Sequence, residues 1–124
     1  MNVYISHSRR FDYKKELYTP IQTSELMSSH HFIFPHEKSE SIFPTKELFR
    51  EKGCDLVIAE VSFASTSQGI ELGWADLMGI PIVCIYRQGM EIAGSLSLVS
   101  SKFLMYPDAQ NMIEDVRGLL KQYE

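Results

Sequence analysis

Apolar runs of strand length alternate with stretches of helical periodicity along the whole chain. Val3-Tyr4-Ile5 comes first, and His31-Phe32-Ile33-Phe34 follows, ended by Pro35. Within segment 55–61, Leu56 to Ala59 run on without polar alternation. A strand apolar at every position is covered on both faces, as in a parallel sheet. Segment 81–87 reads the same way, and 102–106 is a shorter fifth strand. Between them, 13–28 has helical spacing with Leu17, Ile21 and Leu26 inward, and Pro20 predicts a kink or a restarted turn. A short helix is expected over 44–52, with Pro44 in its first turn and Gly53 as its stop. Another is expected over 69–78, closed by Gly79, and a short helix or turn within 91–100. Asp108 caps a final amphipathic helix with Met112, Val116, Leu119, Leu120 and Tyr123 on one face. Five strands alternating with helices predict a single α/β domain over 1–124. It is a five-stranded parallel, doubly wound sheet of the flavodoxin or Rossmann-like kind, in three α/β/α layers joined by right-handed crossovers.

Composition adds exclusions. With 124 residues, 44% hydrophobic and 23% charged, the chain is long enough for one real core and has the balance of an ordinary globular protein. The longest apolar runs, such as Ile82 to Tyr86, fall far short of a membrane span. The opening Met1-Asn2-Val3-Tyr4 lacks the basic-then-apolar pattern of a leader, so a cytoplasmic location is expected. Cys54 and Cys84 lie in or beside apolar runs without Cys-x-x-Cys spacing, and read as structural thiols in a reducing compartment. The net charge of −4 argues against a nucleic-acid polymer as partner. Arg9, Arg10, Lys14 and Lys15 nevertheless cluster just after the first strand.

Open parallel sheets bind ligands outside the carboxyl ends of their strands. Three segments fall there: 6–10, 62–68 and 87–97, rich in hydroxyls and carrying Arg9, Arg10 and Arg87. Gly69-Ile70-Glu71-Leu72-Gly73-Trp74-Ala75 then puts a carboxylate in what reads as the first turn of a helix above that edge. The helix N-terminus would keep Glu71 ionised, as a nucleophile, and the flanking glycines would allow close approach. The same glutamate would equally serve only to stabilise its own helix. Glu47, on the preceding short helix, is a second carboxylate suited to protonating a leaving group, and Glu60 competes with it. His30-His31 and His36-Glu37 lack metal-ligand spacing, and neither a dinucleotide fingerprint nor a phosphate-loop motif is present, so no metal and no cofactor is expected.

The segment Cys54-Asp55-Leu56-Val57-Ile58-Ala59-Glu60-Val61, then Ser65, then Gly69-Ile70-Glu71-Leu72-Gly73-Trp74-Ala75 resembles the nucleoside 2-deoxyribosyltransferase family. The closer likeness is to its branch of 2′-deoxynucleoside 5′-phosphate N-hydrolases. The resemblance implies that Glu71 attacks C1′ of a deoxyribose and that water or an acceptor base resolves the glycosyl intermediate. It implies that Tyr4 orients Glu71, that Ser8 and Arg10 hold the 5′ end of the substrate, and that Ser65 contacts its phosphate. Gly69 belongs to the same substrate-binding segment. Ser95 aligns with a phosphate contact that comes from the neighbouring subunit, which implies a homodimer. Two departures stand out: Glu47 replaces the family's usual Asp, and His7 and Arg9 stand where Gly and an apolar residue are commoner. The helix holding Ile70, Leu72, Trp74, Ala75, Leu77 and Met78 is apolar on several sides, which predicts either full burial or a face, with Trp74, that meets a second subunit. Two alternatives remain on the same fold. One is a non-catalytic nucleotide-binding module, whose binding would survive Glu71→Gln; the other is a dinucleotide glycohydrolase, which would release nicotinamide.

Overall fold

The computed structural model describes residues 1–39 and 41–124. Five strands form one sheet: β1 (Asn2–His7), β2 (His31–Ile33), β3 (Leu56–Glu60), β4 (Ile82–Arg87) and β5 (Phe103–Tyr106). All neighbouring pairs are parallel and the order is β2-β1-β3-β4-β5, the doubly wound arrangement expected. The direction of winding reverses at β1, so the crevice between the carboxyl ends of β1 and β3 is the topological switch point.

β1 and β3 are buried on both faces, and alternation along them divides the core in two. Val3, Ile5, Ile58, Val83 and Ile85 face the layer formed by Leu17, Ile21 and helix α4 (Ala109–Tyr123), which contributes Met112, Val116, Leu119 and Leu120. Tyr4, Val57, Ala59 and Cys84 face the other layer, formed by α2 (Thr45–Arg50) with Phe49 and α3 (Thr66–Leu77) with Leu72 and Ala75. The period of two therefore sends Tyr4, and Ser6 after it, toward α2 and α3. Both cysteines are free and buried, and burial pushes each thiol up to about 11.

Asp108 caps α4 as expected, its Oδ1 accepting from the Asn111 N–H at 2.8 Å, and Gly79 closes α3 at φ 73°. Gly94–Leu98 is a short 3₁₀ turn within the expected segment.

Several local expectations need correction. The stretch 13–28 is no single helix: a π-type turn over Lys14–Tyr18 leads into α1 (Thr19–Gln22), and a 3₁₀ turn spans Glu25–Ser28. Pro20 sits in the first turn of α1, where its missing N–H is harmless, so the break comes later. There the Thr23 hydroxyl donates to the Thr19 carbonyl at 2.8 Å, and Ser24 caps the next turn by accepting from the Leu26 N–H at 3.3 Å. At the end of α2, Lys52 and not Gly53 takes the left-handed conformation, at φ 59°. A Cβ at Gly53 would lie 2.7 Å from Leu48 Cδ1, so a larger residue there would require the end of the Leu48 side chain to shift. Helix α3 starts at Thr66, three residues earlier than its apolar pattern indicated, because Ser65 caps it by accepting from the Gln68 N–H at 3.3 Å.

Candidate active site

Glu71 lies in the second turn of α3, past the reach of the helix N-terminus. Ser6 Oγ donates to its Oε1 at 2.8 Å and Tyr4 Oη to its Oε2 at 3.2 Å. Two residues on one face of β1 therefore grip both oxygens of one carboxylate. Burial pushes the Glu71 carboxyl up to about 7, against these donations, which favour the charged form. The dipole-stabilised, permanently ionised glutamate expected from the sequence is thus corrected: a carboxylate balanced near neutrality occupies the site. Burial and the neighbouring Glu71 also hold the Tyr4 phenol well above its ordinary range, so it stays a donor.

Tyr4 has one hydroxyl proton. Spending it on Glu71 leaves the buried Thr45 hydroxyl, 2.8 Å away, to donate to Tyr4 Oη. The tyrosine ring is held by Phe49 edge-on, with centroids 5.2 Å apart, and by Phe43 at 6.2 Å. The result is a chain from Thr45 through Tyr4 to Glu71.

These groups line a cavity of about 590 Å³ at the switch point. Ser8, Arg9 and Arg10 close it from the loop after β1, His36 from the loop after β2, and Ser65 from the loop after β3. Phe43, Ile70 and Trp74 add apolar wall. Arg10 leans toward the β3 side, its guanidinium donating to the Ala64 carbonyl at 3.3 Å, and its backbone N–H donates to Ser8 Oγ at 3.0 Å.

The expected residues do not all meet here. Tyr4, Ser8, Arg10, Ser65 and Glu71 share the cavity. Glu47 does not line it; it is exposed on α2 and pairs with Arg50 at 3.0 Å. Gly69 and the exposed Ser95 line a neighbouring depression of about 370 Å³, together with Ser65. A Cβ at Gly69 or Gly73 would meet nothing within 4 Å, so neither glycine is required for close packing within the chain. Glu60 is buried behind the site, where it accepts from the Ser62 N–H at 2.7 Å, from Ser62 Oγ at 2.9 Å and from the Tyr106 hydroxyl. It anchors the loop after β3. Arg87 is likewise not among the cavity residues: it pairs with Glu16 at 2.8 Å and lies over Phe11 and Phe63.

Thr45 joins the site without having been singled out in the sequence; Ser6 and His7 stood out there as part of segment 6–10, and His36 as a histidine without metal-ligand spacing. The alternation of β1 singles out Ser6, because it shares the face of Tyr4. Thr45 has no such signal, since its role depends on how α2 docks. Among the described residues, no group of three or more His, Cys, Asp or Glu could hold a metal ion, and no helix is long and apolar enough to cross a membrane. On α3, Ile70 and Leu77 are exposed and Trp74 is half-buried, which removes the expectation of a helix buried throughout.

No protein-family model and no curated protein matches the sequence. Solved structures do match. One is the structure of the Clostridium botulinum CMP N-glycosidase BcmB, with a TM-score of 0.65 and 21% identity over 94% of this chain and 99% of that one. At that identity the likeness establishes a shared fold across nearly the whole of both chains.

Proposed function

We propose that this protein breaks the N-glycosidic bond of a 2′-deoxynucleoside or its 5′-monophosphate, with Glu71 as the nucleophile. The observation that carries the reading is the Glu71 carboxylate, held through both oxygens by Tyr4 and Ser6 in a cavity large enough for a nucleotide. The fold shared with a protein described as a CMP N-glycosidase supports it, as does the resemblance carried by 54–61, Ser65 and 69–75.

In this scheme an Oε atom of ionised Glu71 bonds to C1′ as the bond from C1′ to the base nitrogen breaks. The bonding pair leaves with the base, which takes up a proton. Water, or the nitrogen of a second base, then attacks C1′, loses a proton and releases the carboxylate. Tyr4 and Ser6 orient Glu71 for the first step and stabilise its charge when it departs in the second. Arg10, Ser8 and Ser65 take the 5′-phosphate, since a guanidinium and hydroxyls make charge-assisted bonds to it. Glu47 would reach the leaving base only by releasing Arg50, so we assign that proton to solvent. Ser95 would serve the site of a second copy, with Ile70, Trp74 and Leu77 of α3 as part of the contact; a homodimer in solution is the corresponding expectation.

Incubating the protein with each 2′-deoxynucleoside and its 5′-monophosphate, with and without a free acceptor base, tests the scheme. Chromatography should reveal released base, or a new nucleoside, that vanishes in Glu71→Ala. Nucleotide binding without turnover, surviving Glu71→Gln, would replace the enzyme with a binding module.

A further inference from the structure

The two successive arginines of the β1 loop lean in opposite directions. Arg10 reaches Ala64 on the β3 side of the cavity, whereas a guanidinium nitrogen of Arg9 lies 3.2 Å from His36 Nδ1 on the β2 side. The sheet order puts β2 and β3 on opposite flanks of β1, with Glu71 gripped by β1 between them. A nucleotide imposes its own geometry on this arrangement. C1′ must meet Glu71, and the base on C1′ and the phosphate carried beyond C4′ share one face of the sugar but extend away from opposite ends of it, across the ring oxygen. With the phosphate at Arg10 and Ser65, the base falls on the Arg9 flank.

That flank is built firmly. The His36 N–H donates to the buried Tyr18 hydroxyl at 3.1 Å, and Tyr18 is joined to His7 Nε2 at 2.6 Å. His7 Nδ1 lies 2.8 Å from the Ser8 carbonyl, which can only accept, so Nδ1 carries a proton, and in the neutral ring Tyr18 donates to Nε2. The His36 ring packs near His7 and Tyr13, at 5.7 and 6.0 Å between centroids. Arg9 therefore works against an anchored wall.

We infer that Arg9, steered by His36, selects a base that presents two adjacent hydrogen-bond acceptors. The inference rests on the proposed glycosidic chemistry and deepens it. A guanidinium is a fork of donors with no acceptor, and it pairs in bidentate fashion with guanine O6 and N7. Cytosine offers O2 and N3 in the same way. Adenine places its N6 donor beside both N1 and N7, and thymine has a donor at N3 between its two carbonyls, so neither matches the fork.

The test is kcat/KM for dGMP, dCMP, dAMP and TMP, and for the corresponding nucleosides, with wild type, Arg9→Ala and Arg9→Lys. Wild type should favour dGMP or dCMP over the other two by about tenfold or more, the discrimination expected of one bidentate contact. Both variants should level that preference to within about threefold, because lysine keeps the charge but loses the fork. The ratio of monophosphate to nucleoside, set by Arg10, should hold in both, which also reports an intact fold. Equal use of all four bases by wild type, or a preference that survives Arg9→Ala, would overturn the inference and leave the glycosidase intact. Absence of turnover with every substrate would instead overturn the glycosidase. In that case, nucleotide affinities that depend on the base in wild type and not in Arg9→Ala would still support Arg9 as the reader of the base.

Discussion

Replacing Glu71 with glutamine keeps one of the two oxygens that Ser6 and Tyr4 grip, puts an NH2 where the protonated acid has its O–H, and removes the titration of a buried carboxyl. In the folded chain this carboxyl loses its proton at about 7; the ordinary value is 4.5. Below 4.5 it is neutral in both folded and unfolded chains, and burial of the charge has no bearing on stability. Between those values the unfolded chain releases a proton that the folded chain retains, so stability falls as pH rises. Above 7 the loss is complete. At 1.36 kcal/mol per pH unit the interval corresponds to about 3 kcal/mol, and solvent reaching the half-buried carboxylate through the cavity mouth trims this to about 2 kcal/mol. Glu71→Gln should therefore unfold at higher urea than wild type at pH 8, by about 2 kcal/mol, with the gap closing toward pH 4.5. Urea titrations at pH 5, 6, 7 and 8, followed by circular dichroism, would measure it. A gap of the same size at every pH would refute the reasoning, because amide substitution would then act through packing alone.

Two further outcomes bear on the site. Thr45→Val preserves shape but removes the donor that fixes Tyr4, so base release should drop by about fivefold, in line with the ~1 kcal/mol of a lost hydrogen bond. The acid limb of kcat/KM, expected near pH 7 where Glu71 ionises, should move upward in Thr45→Val and return in Thr45→Ser; an unmoved limb would make Thr45 purely structural. Glu47→Gln loses an exposed pair with Arg50, of the kind worth about 0–1 kcal/mol, and should change base release by less than threefold; a large fall in activity would mean that Glu47 turns into the cavity during turnover.

Much of this arrangement follows from local pattern. Uninterrupted apolar runs at Leu56–Ala59 and Ile82–Tyr86, alternating with helical spacing, suffice for a parallel sheet, and a parallel sheet directs attention to the loops at its carboxyl edge. Glu71, Tyr4, Ser8, Arg10 and Ser65 were all legible as candidates from the residues and the resemblance they carry, and all five line one cavity. Helix boundaries were less legible, because caps depend on single hydroxyls. Ser65 starts α3 a turn before its apolar pattern begins, which moves Glu71 out of the reach of the helix N-terminus. Tertiary structure alone decided the electrostatics and the partners. The upward push on Glu71 comes from burial among packed elements, the donors that oppose it, Ser6 and Tyr4, lie 65 or more positions away, and Thr45 meets Tyr4 only because α2 packs on that face of β1. Carboxylates that looked equivalent in sequence were also separated: Glu60 is tied to Ser62 and Tyr106 behind the loop, Glu47 is left in solvent with Arg50, and Glu71 alone faces the cavity. Spacing along a chain determines which face a side chain takes. What lies across from that face, and how much water reaches it, is set by the docking of distant elements.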